Sequence, residues 1–191
     1  MAVKFDRTVL NIIQNVDFEP VYGTPVEARS ATASFGWATS PVEGEKISIG
    51  EIEYTIVAAL VDDGSPYEIV VGATDAETGS NLENVINGKA QTPAVFGKDT
   101  LPNPAVTAKY ANGALVVTAK VAGEEANSIK VSGDFGTWAK ATLTGGIDGT
   151  VGVAGEGRYD DMHVYLNVAK STKSISNWKK LTLTDIVENL I

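Results

Sequence analysis

The chain contains no cysteine, which removes disulfides, thiol catalysis and cysteine-ligated zinc together and leaves the redox compartment open. It has one histidine, His163. One is too few for a His-His metal pair, and its setting in Asp160-Asp-Met-His-Val-Tyr165 reads as a surface strand rather than a general base. Long apolar runs are also missing. Stretches such as Ile56 to Val61 fall far below the roughly 20 residues that span a bilayer, so no membrane association is expected. Charges interrupt Met1-Ala-Val-Lys-Phe-Asp-Arg7 where a signal peptide needs an apolar stretch, and no secretory route is expected. Basic residues are in deficit, 15 against 24 acidic for a net charge of −9. Neutralising phosphates requires the opposite balance, so no nucleic-acid partner is expected. The excess negative charge is read as serving solubility and holding copies apart until they meet their proper partner.

What the sequence does contain is β structure and enough apolar residues, 43%, to build a core without staples. Gly, Thr, Val and Ala dominate, and long amphipathic helical patterns are nearly absent. Residues 28–38 (ARSATASFGWA) read as strand-like, followed by a Pro41-Val-Glu-Gly44 turn. Lys46 to Ile49 and Glu51 to Leu60 predict a hairpin with Ile47, Ile49, Ile52, Tyr54, Ile56, Ala58 and Leu60 on its core face. Asp62 to Pro66 is a loop and Glu68 to Val71 a short strand. Thr74 or Asp75 can cap a helix that runs through Asn87, with Leu82, Val85 and Ile86 on one face and Gly88 as its left-handed stop. Asn112-Gly113 between Val106–Tyr110 and Ala114–Val121 predicts a tight hairpin, and Ser128 to Ser132 with Ala141 to Leu143 completes the sheet.

The expected fold class is therefore α+β and mostly β: an antiparallel sheet or sandwich with one packed helix, about residues 75–87, and a C-terminal β-hairpin. Three regions are expected. Residues 1–27 form an N-terminal arm or subunit-contact segment, with a first strand or short helix of the same domain as the alternative. Residues 28–149 form the β-rich core domain, and 150–191 a Gly-rich connector and aromatic hairpin.

Chemistry-bearing motifs fail on inspection. Gly152, Gly155 and Gly157 lack the Gly-Lys-Ser/Thr of a phosphate loop, and the Gly-spaced triplets from Gly146 are too few and too poor in proline for a collagen helix. Gly146 to Gly157 is read as a close-packed connector. The acidic pairs Asp62-Asp63, Glu124-Glu125 and Asp160-Asp161 lie in or beside turn-like sequence without the spacing of a calcium loop, and adjacent strand positions face apart. The chain reads as non-enzymatic, with no catalytic residue, metal ligand or cofactor. The aromatic set Tyr159, Tyr165 and Trp178 stands out, because a hairpin of about 30 residues is marginal alone and must bury its apolar face on the main domain or another copy.

Two blocks resemble virion structural proteins of tailed bacteriophages. The first runs from Gly44-Glu-Lys-Ile-Ser-Ile-Gly50 into Tyr54-Thr-Ile-Val-Ala-Ala-Leu60. It continues through Asn81-Leu82 and Ile86-Asn87, then Ala114-Leu-Val-Val-Thr-Ala-Lys-Val-Ala-Gly123 and Ala126-Asn-Ser-Ile129, and ends at Ala141-Thr-Leu-Thr-Gly-Gly-Ile-Asp-Gly149. The second, Asp148-Gly-Thr-Val-Gly152 through Tyr165-Leu-Asn-Val-Ala169 to Asn177-Trp-Lys-Lys-Leu181, is similar to the terminal hairpin of such proteins. The resemblance implies a virion component. Length favours a capsid decoration or cement protein that binds the major capsid protein, or other virion proteins, as a homo-oligomer, a trimer being expected. Its location would be the capsid surface, and the host cytoplasm during assembly. Phe18, Tyr159, Tyr165 and Trp178 are the expected interface residues. The alternatives are a tail or neck component, such as a tube subunit or fibre adaptor, and a carbohydrate-binding module or small glycan hydrolase with Trp37 or Trp178 as platform and Asp160 or Asp161 as acid.

Overall fold

The computed structural model describes residues 21–22, 24–90, 94–150, 157–159, 163–167 and 178–182. The chain forms two units. One is continuous, Arg29–Ile147, and the other combines Met1–Ala28 with Asp148–Ile191.

In Arg29–Ile147, local sequence chemistry sets most elements. Strands β2 (Thr32–Trp37), β3 (Lys46–Ile49) and β4 (Ile52–Val57) alternate as a half-buried strand must, placing Ala33, Phe35, Ile47, Ile49, Tyr54 and Ile56 inside. The β3–β4 hairpin forms in the expected register, Ile47 opposite Tyr54 and Ile49 opposite Ile52. It stops at Val57, so Ala58 is exposed and Leu60 half-buried rather than on the core face. The chain there turns through Asp62, Asp63 and Gly64, at φ 48°, 72° and 73°, to bring β5 (Glu68–Val70) parallel to β4. Strands β6 (Val106–Ala111) and β7 (Ala114–Ala119) flank Asn112-Gly113, both left-handed at φ 52° and 76°, the geometry that a two-residue hairpin turn requires.

The remaining strands depart from expectation. Glu124–Ser128 winds into a 3-10 turn, which moves the next strand to β8 (Val131–Gly133). A short strand, β9 (Gly136–Trp138), follows it. Ala141 to Leu143 is not a strand and touches the sheet through the Lys130–Thr142 bridge. The unit has two sheets, ordered β6-β7-β2-β9 and β5-β4-β3-β8 and mostly antiparallel, within the expected α+β, mostly β class with one packed helix. They contribute to one core with Leu82, Val85 and Ile86 of helix α1 (Asp75–Asn87), which lies against β5, β6 and β7.

Helix α1 begins and ends by local rules. The Thr74 hydroxyl accepts from the Glu77 N–H at 3.2 Å, while Glu77 Oε2 accepts from the Ala73 N–H at 2.7 Å. At the other end Gly88, φ 68°, donates to Val85 O, and the Lys89 N–H reaches Asn84 O at 2.8 Å. Gly79 is buried in mid-helix, where a Cβ would sit 2.3 Å from the Tyr110 ring. Alanine improves helix propensity by about 1 kcal/mol, but overpacking against that ring costs about 1–3 kcal/mol. Gly79→Ala is therefore expected to lower the urea midpoint. In a Tyr110→Ala background the same change should raise it, and equal effects in both backgrounds would disprove the contact.

The second unit carries a sheet ordered β1-β10-β11-β12, with β1 (Val21–Tyr22), β10 (Gly157–Tyr159), β11 (His163–Asn167) and β12 (Trp178–Thr182). Strand β1 pairs parallel to β10, Val21 with Arg158 and Tyr22 with Tyr159. The segments read separately as 1–27 and 150–191 thus share a sheet. Their boundaries with the core domain fall beside the points where the chain enters and leaves Arg29–Ile147. Arg29 and Ile147 exchange backbone hydrogen bonds at 3.0 and 3.1 Å, and Thr32 and Thr144 at 2.8 and 2.9 Å. The two ends of this unit therefore lie side by side.

Candidate assembly surfaces

Of the residues expected at an interface, Phe18 lies outside the described residues. Tyr159 stands in β10, in register with Val164 of β11. Tyr165 and Trp178 fall on the adjoining strands β11 and β12, where the register pairs Tyr165 with Lys180 and Asn167 with Trp178. Tyr165 is half-buried, and its ring lies 6.0 Å from that of His163, itself half-buried in β11. Trp178 is only 6% exposed in the single chain, alongside buried Leu166 and Asn167. Its indole is packed within the single chain, whereas Lys179 and Lys180 beside it are exposed. Strand β12 ends its sheet, and lysines on an end strand discourage pairing with stray strands.

In Arg29–Ile147 three of the four sheet edges are closed by the chain itself. Strand β5 is covered by residues 95–97, through Val70 N–H to Val95 O and Gly97 N–H to Glu68 O, both 2.9 Å. Strand β8 meets the segment around Ala141, which accepts from the Val131 N–H at 3.0 Å. Strand β6 is closed by side chains. Asn103 Oδ1, Asn87 Oδ1 and Glu83 Oε2 accept the N–H groups of Val106, Ala108 and Tyr110 at 3.2, 3.0 and 2.8 Å, and Asn87 Nδ2 donates back to Ala108 O at 2.8 Å. In the sequence Asn87 reads only as the last residue of the helix before Gly88, because this second role depends on β6 arriving from elsewhere in the chain.

Burial pushes the Glu83 carboxyl up, but the Tyr110 N–H and the Lys109 and Lys89 ammonium groups outweigh it and hold its pKa below the usual value. A carboxyl depressed in the fold adds stability that is present above its unfolded pKa, about 4.3, and is lost as pH falls through the folded value. Glu83→Gln should therefore cost less than about 1 kcal/mol at neutral pH, because the partner lysines are exposed, and should flatten the decline of the urea midpoint on acidification. An unchanged acid limb would remove Glu83 as its source.

The rival readings meet specific obstacles. Trp37 stacks on Tyr110 at 6.0 Å, packs edge-on against Phe35 at 5.0 Å, and donates its indole N–H to Asp75 O at 3.2 Å. With Trp178 buried as well, neither indole is an open sugar platform. Asp62 and Asp63 form a left-handed turn rather than strand positions, and Glu124 and Glu125 open the 3-10 turn. Asp160 and Asp161 lie outside the described residues, as do Gly152 and Gly155. In the described part of the glycine run, Gly146 is held on both backbone groups by Asn127 at 2.9 Å, and a Cβ there would lie 2.3 Å from Gly123 O. That is close packing of the kind expected of the connector.

Two shallow grooves flank Thr142. One, of about 350 Å³, is lined by Ser48, Gly50, Lys130, Val131, Ser132 and Ala141. The other, about 200 Å³, is lined by Thr32, Ala33, Ser34, Ala139, Lys140 and Thr144. Each offers hydroxyls and one lysine but no carboxylate or imidazole for paired acid and base work. Among the described residues there is no group of three or more His, Cys, Asp or Glu placed to hold a metal, and no helix long and apolar enough to cross a membrane. Against known proteins, no family model, curated protein or solved structure matches the chain.

Proposed function

We propose that this chain is a non-enzymatic structural protein of a tailed-bacteriophage virion, a decoration or cement protein that binds the head shell as a homo-oligomer, a trimer by preference. The resemblance of the two sequence blocks motivates the class. The observation that carries the reading is the division of the chain. A 119-residue stretch, Arg29–Ile147, has its own core, its sheet edges are largely closed by its own segments and side chains, and it enters and leaves through adjacent segments bonded to each other. The described strands of the other unit form a separate sheet. Such a division suits a protein that displays one unit while holding on with another. Contacts that exist only on the assembled shell favour the assembled state by mass action.

The expected result is a homo-oligomer by light scattering and co-sedimentation of the full chain with phage heads. A stable monomer that stays in the supernatant would overturn the proposal. Gold label placed by electron microscopy on tails, with heads bare, would replace it with the tail reading.

A further inference from the structure

The sequence holds two Asn-Gly dipeptides, Asn87-Gly88 and Asn112-Gly113, and the fold gives them opposite surroundings. At the β6–β7 turn Asn112 and Gly113 are both exposed. The Asn112 side chain makes no hydrogen bond with any described residue, the Gly113 N–H donates to none, and a Cβ on Gly113 would meet nothing within 4 Å. At the end of α1 the same dipeptide is tied down. Asn87 Nδ2 donates to Ala108 O at 2.8 Å, its Oδ1 accepts from the Ala108 N–H at 3.0 Å, and the Gly88 N–H is spent on Val85 O at 3.1 Å. Pro102 lies 2.4 Å from where a Gly88 Cβ would be.

We propose that Asn112-Gly113 is a site of spontaneous covalent modification, converting Asn112 through a cyclic imide to aspartate and isoaspartate, and that Asn87-Gly88 is protected from the same reaction. The chemistry needs a peptide nitrogen free to attack and an amide free to leave. The Gly113 nitrogen, its proton taken by hydroxide, attacks Cγ of Asn112. A C–N bond closes a five-membered ring, the Cγ–Nδ2 bond breaks, and the amide nitrogen departs as ammonia with a proton from water. Water then adds to either ring carbonyl and reopens the ring. One opening leaves aspartate; the other leaves isoaspartate, with the backbone rerouted through Cβ. One water is consumed, one ammonia is released, and the turn gains a negative charge at neutral pH. At Asn87 both the attacking N–H and the leaving amide must first give up hydrogen bonds, and the residue must leave its half-buried place between α1 and β6. Glycine is what opens the reaction at residue 113, since no side chain shields its nitrogen.

The test incubates the full folded chain at mildly alkaline pH and follows tryptic peptides 110–120 and 47–89 by mass spectrometry. A gain of one mass unit at Asn112 is expected to run about tenfold or more ahead of that at Asn87, the rate ratio that a single broken hydrogen bond imposes on a barrier. In urea, where both dipeptides are exposed, the two should convert at similar rates. The proposal fails if Asn87 keeps pace with Asn112 in the folded chain, or if folded Asn112 stays unmodified while the urea sample converts.

Discussion

Replacing Phe35 with alanine is expected to lower the stability of the Arg29–Ile147 unit by about 3–5 kcal/mol, the range for emptying a buried aromatic site that cannot collapse. Phe35 is fully buried in β2, a strand paired on both sides, with β7 and β9. Its ring meets Phe135 edge-on at 5.2 Å, Trp37 at 5.0 Å and Trp138 at 5.1 Å. Two glycines make room for it, since a Cβ on Gly136 or Gly133 would lie 2.5 or 2.8 Å from the ring. A site framed by paired backbone and neighbouring aromatics has little freedom to close over the void. Urea unfolding followed by tryptophan fluorescence measures the loss. A change below about 1 kcal/mol, the level of an ordinary surface substitution, would show that the cluster is not packed as described.

Asn103→Leu is expected to cost about 2–4 kcal/mol, although leucine is apolar and of similar size. The side chain of Asn103 is fully buried and fully used. Its Nδ2 donates to Ile49 O and Tyr54 Oη, both at 3.1 Å, and its Oδ1 accepts from the N–H groups of Ala105 and Val106 at 2.9 and 3.2 Å. Leucine would strand four polar groups, and buried polar groups left without partners cost about 1–3 kcal/mol each before relaxation. Tyr54 supplies a second readout. Burial pushes its phenol up to about 12, partly opposed by the Asn103 hydrogen bond. A phenol raised above its unfolded pKa, about 10, contributes stability that is complete below that value and is lost as pH rises towards the folded one. The wild-type chain should therefore weaken between about pH 10 and 12, and Tyr54→Phe should abolish that alkaline limb while leaving the neutral fold cooperative. A Tyr54→Phe chain that keeps the same alkaline decline would assign it to other groups.

How far the fold could be read from sequence depended on the reach of the interactions involved. The β3–β4 hairpin, the cap at Thr74, the stop at Gly88 and the Asn112-Gly113 turn are set by neighbours within a few residues, and they form where the residues imply. The parallel pairing of β1 with β10 joins opposite ends of the chain, and no local pattern in Val21-Tyr22 or Gly157-Arg-Tyr159 announces it. Strand β9 escaped notice because Gly136-Thr-Trp138 is too short to show alternation, and its place follows from Phe35 needing a neighbour. Ala58 and Leu60 continue the alternation of β4 on paper, but the left-handed turn at Asp62 to Gly64 ends the strand first. For the candidate interface, aromatic content was visible but its destination was not. Trp178 looks the same in sequence whether it docks on a partner or is packed beside Asn167. Edge closure by Glu83, Asn87 and Asn103 was equally silent, because each acts on a strand distant in sequence.

The paired ends of Arg29–Ile147 also have a mechanical meaning. Tension applied through residues 29 and 147 acts across an antiparallel ribbon whose outermost rungs are the Arg29–Ile147 and Thr32–Thr144 bonds. Those rungs stand in series, so they break one after another like a zipper instead of sharing the load in shear. Pulled from its own two ends, this unit should open at low force from that ribbon inward, and the aromatic cluster around Phe35 should yield only after both rungs have parted.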